Sequence, residues 1–253
     1  MSVLLPVAVA VIVLVAWQTY VSVSGISSLS LPSPAEVGAS IIANAELLVT
    51  NSWTTLQAVF IGYLIAVVFG VVTAAIIHSS RRAEQALTPW LIVSQMIPLP
   101  AIAPLFVLWT GFDLRPRLML IALVCFFPIA VNMVDGLRTA DPALLNVLRT
   151  MRASRWQRFR MAQLPAALPL TFSGLRIAAA FAVLGAVFGE WVGSNSGLGY
   201  LIIAFNSQLR TADMLGVVVI LSAIGIALYG LVTLIERIAL PWYHVERRRE
   251  RKK

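Results

Sequence analysis

An all-α polytopic membrane protein with about six transmembrane helices is the fold class this sequence predicts. Composition, segment length and charge placement predict it. Hydrophobic residues make up 59% of the 253 positions and charged residues 12%, against roughly 45–50% and 25% in soluble domains. So few charges cannot cover a soluble surface. The chain has room for about six apolar segments of ~20 residues. Its basic residues sit between those segments, in the loops.

The spans read in order as follows. The first covers 4–20; no Lys or Arg precedes it and no clear small-residue cleavage site follows, so it reads as an anchor and not a leader. A Ser- and Pro-rich loop, 21–52, follows, with a short helix expected over 44–50. Further spans are expected over 54–77, 87–109, 117–133, 170–192 and 214–238, within one permease-like domain whose core covers about 54–240. Trp17, Trp53, Trp90, Trp109, Trp191 and Trp242 fall near span ends, as interfacial aromatics do.

Charge orients the spans. Placing the amino terminus, the 78–86 and 135–169 loops and the carboxyl tail on one side gathers 16 of the 19 Lys and Arg there; only Arg115, Arg117 and Arg210 fall opposite. The positive-inside rule makes the first side cytoplasmic, with both termini on it. The net charge of +8 is then a topological feature, and nucleic-acid binding is set aside because the charge is confined to loops. The tail 247–253 reads as a solvated run near anionic lipid headgroups. The single cysteine, Cys125, excludes an intrachain disulfide and a multi-cysteine metal site, and with His78 and His244 the only histidines no paired-histidine haem site is expected inside the membrane. No metal or other cofactor is expected.

Three features inside the spans carry alternative readings. Pro98, Pro100 and Pro104 free backbone carbonyls that must face protein or a wet cavity; the segment either lines a translocation path or is kinked only for packing. Gly185, Gly189 and Gly193 share one helix face, suited to self-association or to close packing within the chain. Glu190, at membrane depth, either lines a path or accepts from backbone N–H groups of the Gly-rich turn 194–199, the structural role being favoured. That turn is no phosphate loop, because no strand precedes it.

The longest polar interruption is 135–169, DGLRTADPALLNVLRTMRASRWQRFRMAQLPAALP. Asp141-Pro142 predicts a helix start. Leu144, Leu148, Met151, Arg155 and Phe159 recur at helical spacing as one stripe. Ser154 and Gln157 form a capping-box pattern, so a second short helix is expected there, and Pro165 and Pro169 are expected to close the loop before the next span. Trp156 reads as an interface anchor or as a membrane-surface contact.

This loop resembles the EAA loop of binding-protein-dependent ABC importer permeases, the nitrate/sulfonate/taurine branch above all. The ending Leu164-Pro165 and the flank ASRWQRF match, while the family's Glu-Ala-Ala stands here as Asn146-Val147-Leu148 and its Gly as Arg152. IPLPAIAPLFVLWTGF (97–112) also resembles the family. CFFPIAVN (125–132) and GEWVGSNSGLGYLI (189–202) look most like the branch that imports pyrimidine precursors of thiamine. The resemblance implies a type I importer permease in the bacterial plasma membrane. It also implies a homodimer, two copies of a separate ATP-binding subunit and an extracytoplasmic solute-binding protein. The ATPase would dock on Asp141, Leu145, Leu148, Arg149, Arg152, Ala153, Ser154, Arg155, Trp156 and Phe159, with Arg155 and Arg158 needed for coupling. The solute is a pyrimidine or another vitamin precursor; sulfonate, taurine and nitrate are the alternatives.

The chain has no G-x-x-x-x-G-K-[ST] motif, so ATP must be bound and hydrolysed by another polypeptide. At Arg152 the turn either forms with strain, since a left-handed conformation is costly for a residue with a Cβ, or the flanking helices run together. An ion-coupled carrier would need ionisable groups near the midplane, and the spans hold almost none. A membrane enzyme would need a catalytic cluster, and none is present.

Overall fold

A computed structural model describes residues 4–243; the tail 247–253 lies outside them. The described residues are helical, joined by short connections: α1 Leu4–Ser24, α2 Pro34–Ala43, α3 Ala45–Ser79, α4 Arg81–Met96, α5 Leu99–Thr110, α6 Leu114–Arg138, α7 Pro142–Thr150, α8 Arg155–Arg158, α9 Leu164–Gly193, α10 Leu198–Ser207 and α11 Thr211–Ala239. A π-helical turn, Phe159–Gln163, joins α8 to α9. Five helices are single spans by length and apolarity, α8 to α9 counting as one; the bent pair α4–α5 makes a sixth.

The core is built on α6, which packs chiefly against α9 and α3. Ile121, Cys125 and Ile129 of α6 are fully buried between Ala58, Val59 and Ala66 of α3 and Ala178, Ala179 and Ala182 of α9. Small residues on both flanks let the three backbones approach closely, as membrane packing requires when burial from water supplies little drive. A Cβ on Gly185 would lie 2.8 Å from Ile121 Cα, and one on Gly189 would lie 2.8 Å from Arg117 Cα; at Gly193 it would meet Val107 at 2.6 Å. The glycine face is therefore occupied within the chain, by α6 and α5. By contrast, α1 has no buried residue and meets the rest chiefly through α2.

Several boundaries differ from the sequence expectation. The helix expected over 44–50 is the beginning of α3, which starts at Ala45. At 35 residues, about 52 Å, α3 outruns a hydrocarbon core of ~30 Å, which places Trp53 inside it. The 21–52 loop instead holds α2, started by Pro34 and by a capping box between Ser33 and Glu36. The 193–213 connection contains α10. α9, expected to begin at 170, begins at Leu164 with Pro165 and Pro169 inside it, and it runs on from α8 as one span. The π turn explains how. Pro165 has no N–H and its ring would strike the carbonyl four residues back. The wider turn, in which Leu164 N–H donates to Phe159 O, lets the chain pass that point still helical.

The third span is two helices, not one kinked helix. α4 and α5 meet at 100°. Ile97 and Pro98 are extended there, Pro98 at φ −68°, ψ 116°. A residue before proline is pushed out of the α region, and Pro98 and Pro100 remove two donors from the first turn of α5. Pro104 lies inside α5 and Pro89 inside α4.

Candidate functional site

The 139–163 loop is two short helices around a strained turn. Asp141 Oδ1 accepts from Ala143 N–H at 2.8 Å, and Pro142 opens α7. None of α7 is buried: Leu144 is 45% exposed, Val147 54% and Met151, at its cap, 73%. Leu145 and Leu148, on the flank of that face, are half-buried. The turn forms with Arg152 left-handed, at φ +57°. Arg152 N–H donates to Arg149 O and Ala153 N–H to Leu148 O, each at 2.9 Å, the paired bonds that close a helix through a left-handed residue. A side chain in that conformation costs about 1–2 kcal/mol.

The turn redirects the chain. The stripe expected to run from Leu144 to Phe159 therefore divides: Leu144 and Met151 stay exposed on α7, while Phe159 packs inward beneath α8. Ser154 Oγ accepts from Gln157 N–H at 3.2 Å, and Gln157 Oε1 accepts from Ser154 N–H at 2.7 Å, so the capping box forms as expected. Trp156, 66% exposed, stacks on Phe159 at 5.6 Å, and Phe159 lies 6.4 Å from His78 at the end of α3. Ala153 is half-buried and Arg155 exposed. The loop is thus capped at Asp141 and Ser154 and closed at Arg152, and its far end is held against α3 through Phe159 and His78.

At the α4–α5 elbow, a cleft of about 250 Å³ is lined by Ser94, Gln95, Pro100, Val124 and Phe188, among others. Ser94 Oγ donates back to Leu91 O at 2.7 Å. The Gln95 amide is exposed and makes no hydrogen bond among the described residues. An amide at membrane depth without a partner faces water or another polar surface, not lipid.

Glu190 is fully buried at the end of the bundle away from the 139–163 loop. Its Oε2 accepts from Gly199 N–H at 2.7 Å and its Oε1 from Thr55 Oγ–H at 2.8 Å. Thr55 Oγ in turn accepts from Leu198 N–H at 2.8 Å, and Asn51 Oδ1 from Gly197 N–H at 2.7 Å. The first donors of α10 are thus satisfied by α3 and α9. Gly197 sits at φ +105°, and a Cβ there would lie 2.3 Å from Glu190 Cδ. Arg117, placed by sequence at a span edge, is buried against α9 beside Gly189. Sequence reasoning found Glu190 and its turn but missed Asn51 and Thr55; their i, i+4 spacing on one apolar helix was the available signal. It also missed the pair of half-buried Arg176 with buried Glu236, which ties α9 to α11, and Asp213, which accepts from Ser40, Asn44 and Arg210.

No group of three metal-ligating side chains occurs among the described residues. The site has the form of a membrane bundle with a braced loop at one end and a broken span in its middle. Residues 66–242 match the family of binding-protein-dependent transport system inner membrane components. The formylaminopyrimidine transport permease protein ThiX of Halalkalibacterium halodurans is 37% identical over 213 residues, covering 84% of this chain and 85% of that protein. The riboflavin transport system permease protein RibX of Chloroflexus aurantiacus is 36% identical over 233 residues, covering 91% and 87%. Among solved structures, a chain of the inward-facing MetNI methionine ABC transporter superposes with a TM-score of 0.66 at 21% identity, covering 78% of this chain and 97% of that one; at that identity the likeness speaks for the fold.

Proposed function

This chain belongs to the family of binding-protein-dependent transport system inner membrane components and is a permease subunit of an ABC importer, and from that premise we propose how it is coupled and what it carries. A separate ATP-binding subunit docks on the 141–159 loop from the cytoplasm. The observation that carries this is the exposed apolar face of α7, Leu144, Val147 and Met151, on a helix whose ends are fixed by Asp141 and by the Arg152 turn. Such a face on a capped, projecting helix is what a partner covers. Closure of two ATPase copies around ATP moves two such loops, one from each permease of a homodimer. Because the loop continues into α9 through the π turn, that motion reaches the packed α6–α9 core.

The Lys and Arg distribution supports a plasma-membrane topology with both termini cytoplasmic, and the Glu190 end then meets an extracytoplasmic binding protein. The elbow at Pro98, Pro100 and Pro104, with Gln95 beside it, lines the translocation path; broken helices place unpaired polar groups where solutes cross. The solute is a small planar heterocycle of the pyrimidine class, which the likeness to ThiX and RibX supports. A cleft of 250 Å³, below the ~300–1,000 Å³ of pockets that hold drug-sized ligands, suits a single ring. Glu190 is a structural acceptor holding α10 against α3 and α9. Uptake of labelled formylaminopyrimidine by cells carrying the assembled importer tests the substrate; uptake of taurine in its place would redirect the assignment.

A further inference from the structure

The 139–163 loop has a second face, turned toward the end of α3. There a cleft of about 570 Å³ is lined by Arg149, Arg155 and Arg158 together with His78, Trp156 and Phe159. Among the described residues no carboxylate lines it, and the described acids at this end of the bundle are committed elsewhere: Glu84 and Asp135 to Arg138, Asp141 to the α7 cap, and Glu236 to Arg176. Arg149 donates only to the neutral Asn146 Oδ1, at 3.2 Å. The Arg155 guanidinium makes no hydrogen bond among the described residues. Arg158 Nε is buried without a partner.

Three guanidinium groups converging without a counter-charge repel one another, and a buried unpaired N–H on a cation is costly. Both costs are removed by one tetrahedral anion, whose several oxygens accept from more than one guanidinium fork. The structure assigns this cleft as a binding site for a phosphate group. Its wall is the last turn of α3, the level at which a span leaves the bilayer. The exposed Trp156 at its rim is an interfacial residue type. Basic pockets between transmembrane helices on the cytoplasmic side hold anionic headgroups, so a phospholipid phosphate is one source and a soluble phosphate compound the other. The site lies behind α7, opposite the apolar face given above to the ATPase, and a phosphate held there would brace the docking loop against α3. Its cytoplasmic placement rests on the topology proposed above.

The test uses the full-length permease purified in detergent, titrated with phosphatidylglycerol, phosphatidylcholine or inorganic phosphate while thermal unfolding is followed. Phosphatidylglycerol should raise the melting temperature and phosphatidylcholine should not. The double variant Arg149→Gln/Arg158→Gln should need about thirtyfold more phosphatidylglycerol for the same shift. The exposed single variant Arg155→Gln, which disturbs no hydrogen bond, should need about fivefold more and guards against misfolding of the double variant. An arginine-dependent shift with inorganic phosphate alone would support the site and name the soluble source. No shift with either phosphate probe, or a shift unchanged in both variants, would overturn it. So would an absent lipid shift with the arginines protected only when the ATPase subunit is added, which would give the cleft to a protein carboxylate surface. None of these readouts requires transport, so their failure leaves the importer assignment standing, and a failed ATPase capture leaves them readable.

Discussion

Replacing Glu190 by alanine separates a structural carboxylate from a transporting one. The side chain is fully buried and accepts from two donors, Gly199 N–H at 2.7 Å and Thr55 Oγ–H at 2.8 Å. Thr55 cannot readily turn away, because its oxygen already accepts from Leu198 N–H. Alanine therefore leaves two buried donors without an acceptor, at about 1–3 kcal/mol each, or roughly 2–6 kcal/mol in all. Glutamine keeps one acceptor and presents an amide N–H to the other donor, so it loses about half as much. With ~2–4 °C per kcal/mol for a chain of this length, Glu190→Ala should melt on the order of 5–20 °C lower and Glu190→Gln should fall between. Heating the detergent-solubilised protein and following its monodisperse fraction by size-exclusion chromatography reads both. A path-lining carboxylate would behave differently: both variants would melt with the native chain and only the half-saturating solute concentration would move. That result would refute the argument.

Other outcomes follow from the same geometry. Arg152→Gly should relieve the left-handed backbone and raise stability by about 1 kcal/mol, less the entropy glycine loses on folding, seen as a higher melting temperature. Glu236→Ala should cost about 1–3 kcal/mol by leaving the half-buried Arg176 guanidinium without its acceptor, whereas Arg176→Met with Glu236→Met should recover much of it, as a double-mutant cycle on melting would show. Gln95→Leu should leave melting and basal ATP hydrolysis of the assembled importer unchanged while raising the half-saturating concentration for uptake.

Much of this architecture is legible in the sequence because the bilayer imposes length and polarity on every span. The loop signals were local and held. Asp141-Pro142 and Ser154–Gln157 each satisfy donors a few residues away, so their geometry needs no knowledge of the rest of the fold. What failed to read was set by contacts distant in sequence or by competition between rules. Three prolines in 97–104 announce a disturbance, but whether the helix bends or breaks depends on the extended conformation of Ile97 and Pro98 and on what packs behind them. Pro165 looked like a helix terminator because a π turn, with no sequence signature of its own, rescued its register. Glu190 accepts from Gly199 N–H in the adjoining turn, as its place beside that turn suggested, but its second donor, Thr55, lies on α3, 135 positions earlier, and Arg117 lies under α9; the i, i+4 pair Asn51 and Thr55 marks a polar face on α3 without saying what it meets. The Gly185–Gly189–Gly193 face could be read as close packing, but that its partners are α6 and α5 required the structure.

Coupling through the outer face of α7 is the claim on which the account turns. The direct measurement is capture of the ATP-binding subunit by tagged permease from the native membrane, comparing the unaltered chain with Leu144→Asp and Val147→Asp. Both positions are exposed, so the variants should fold and melt like the parent. The account predicts that the ATPase is recovered with the parent and lost or strongly reduced with the variants. Undiminished recovery with both aspartates in place would contradict it and move the docking surface off α7.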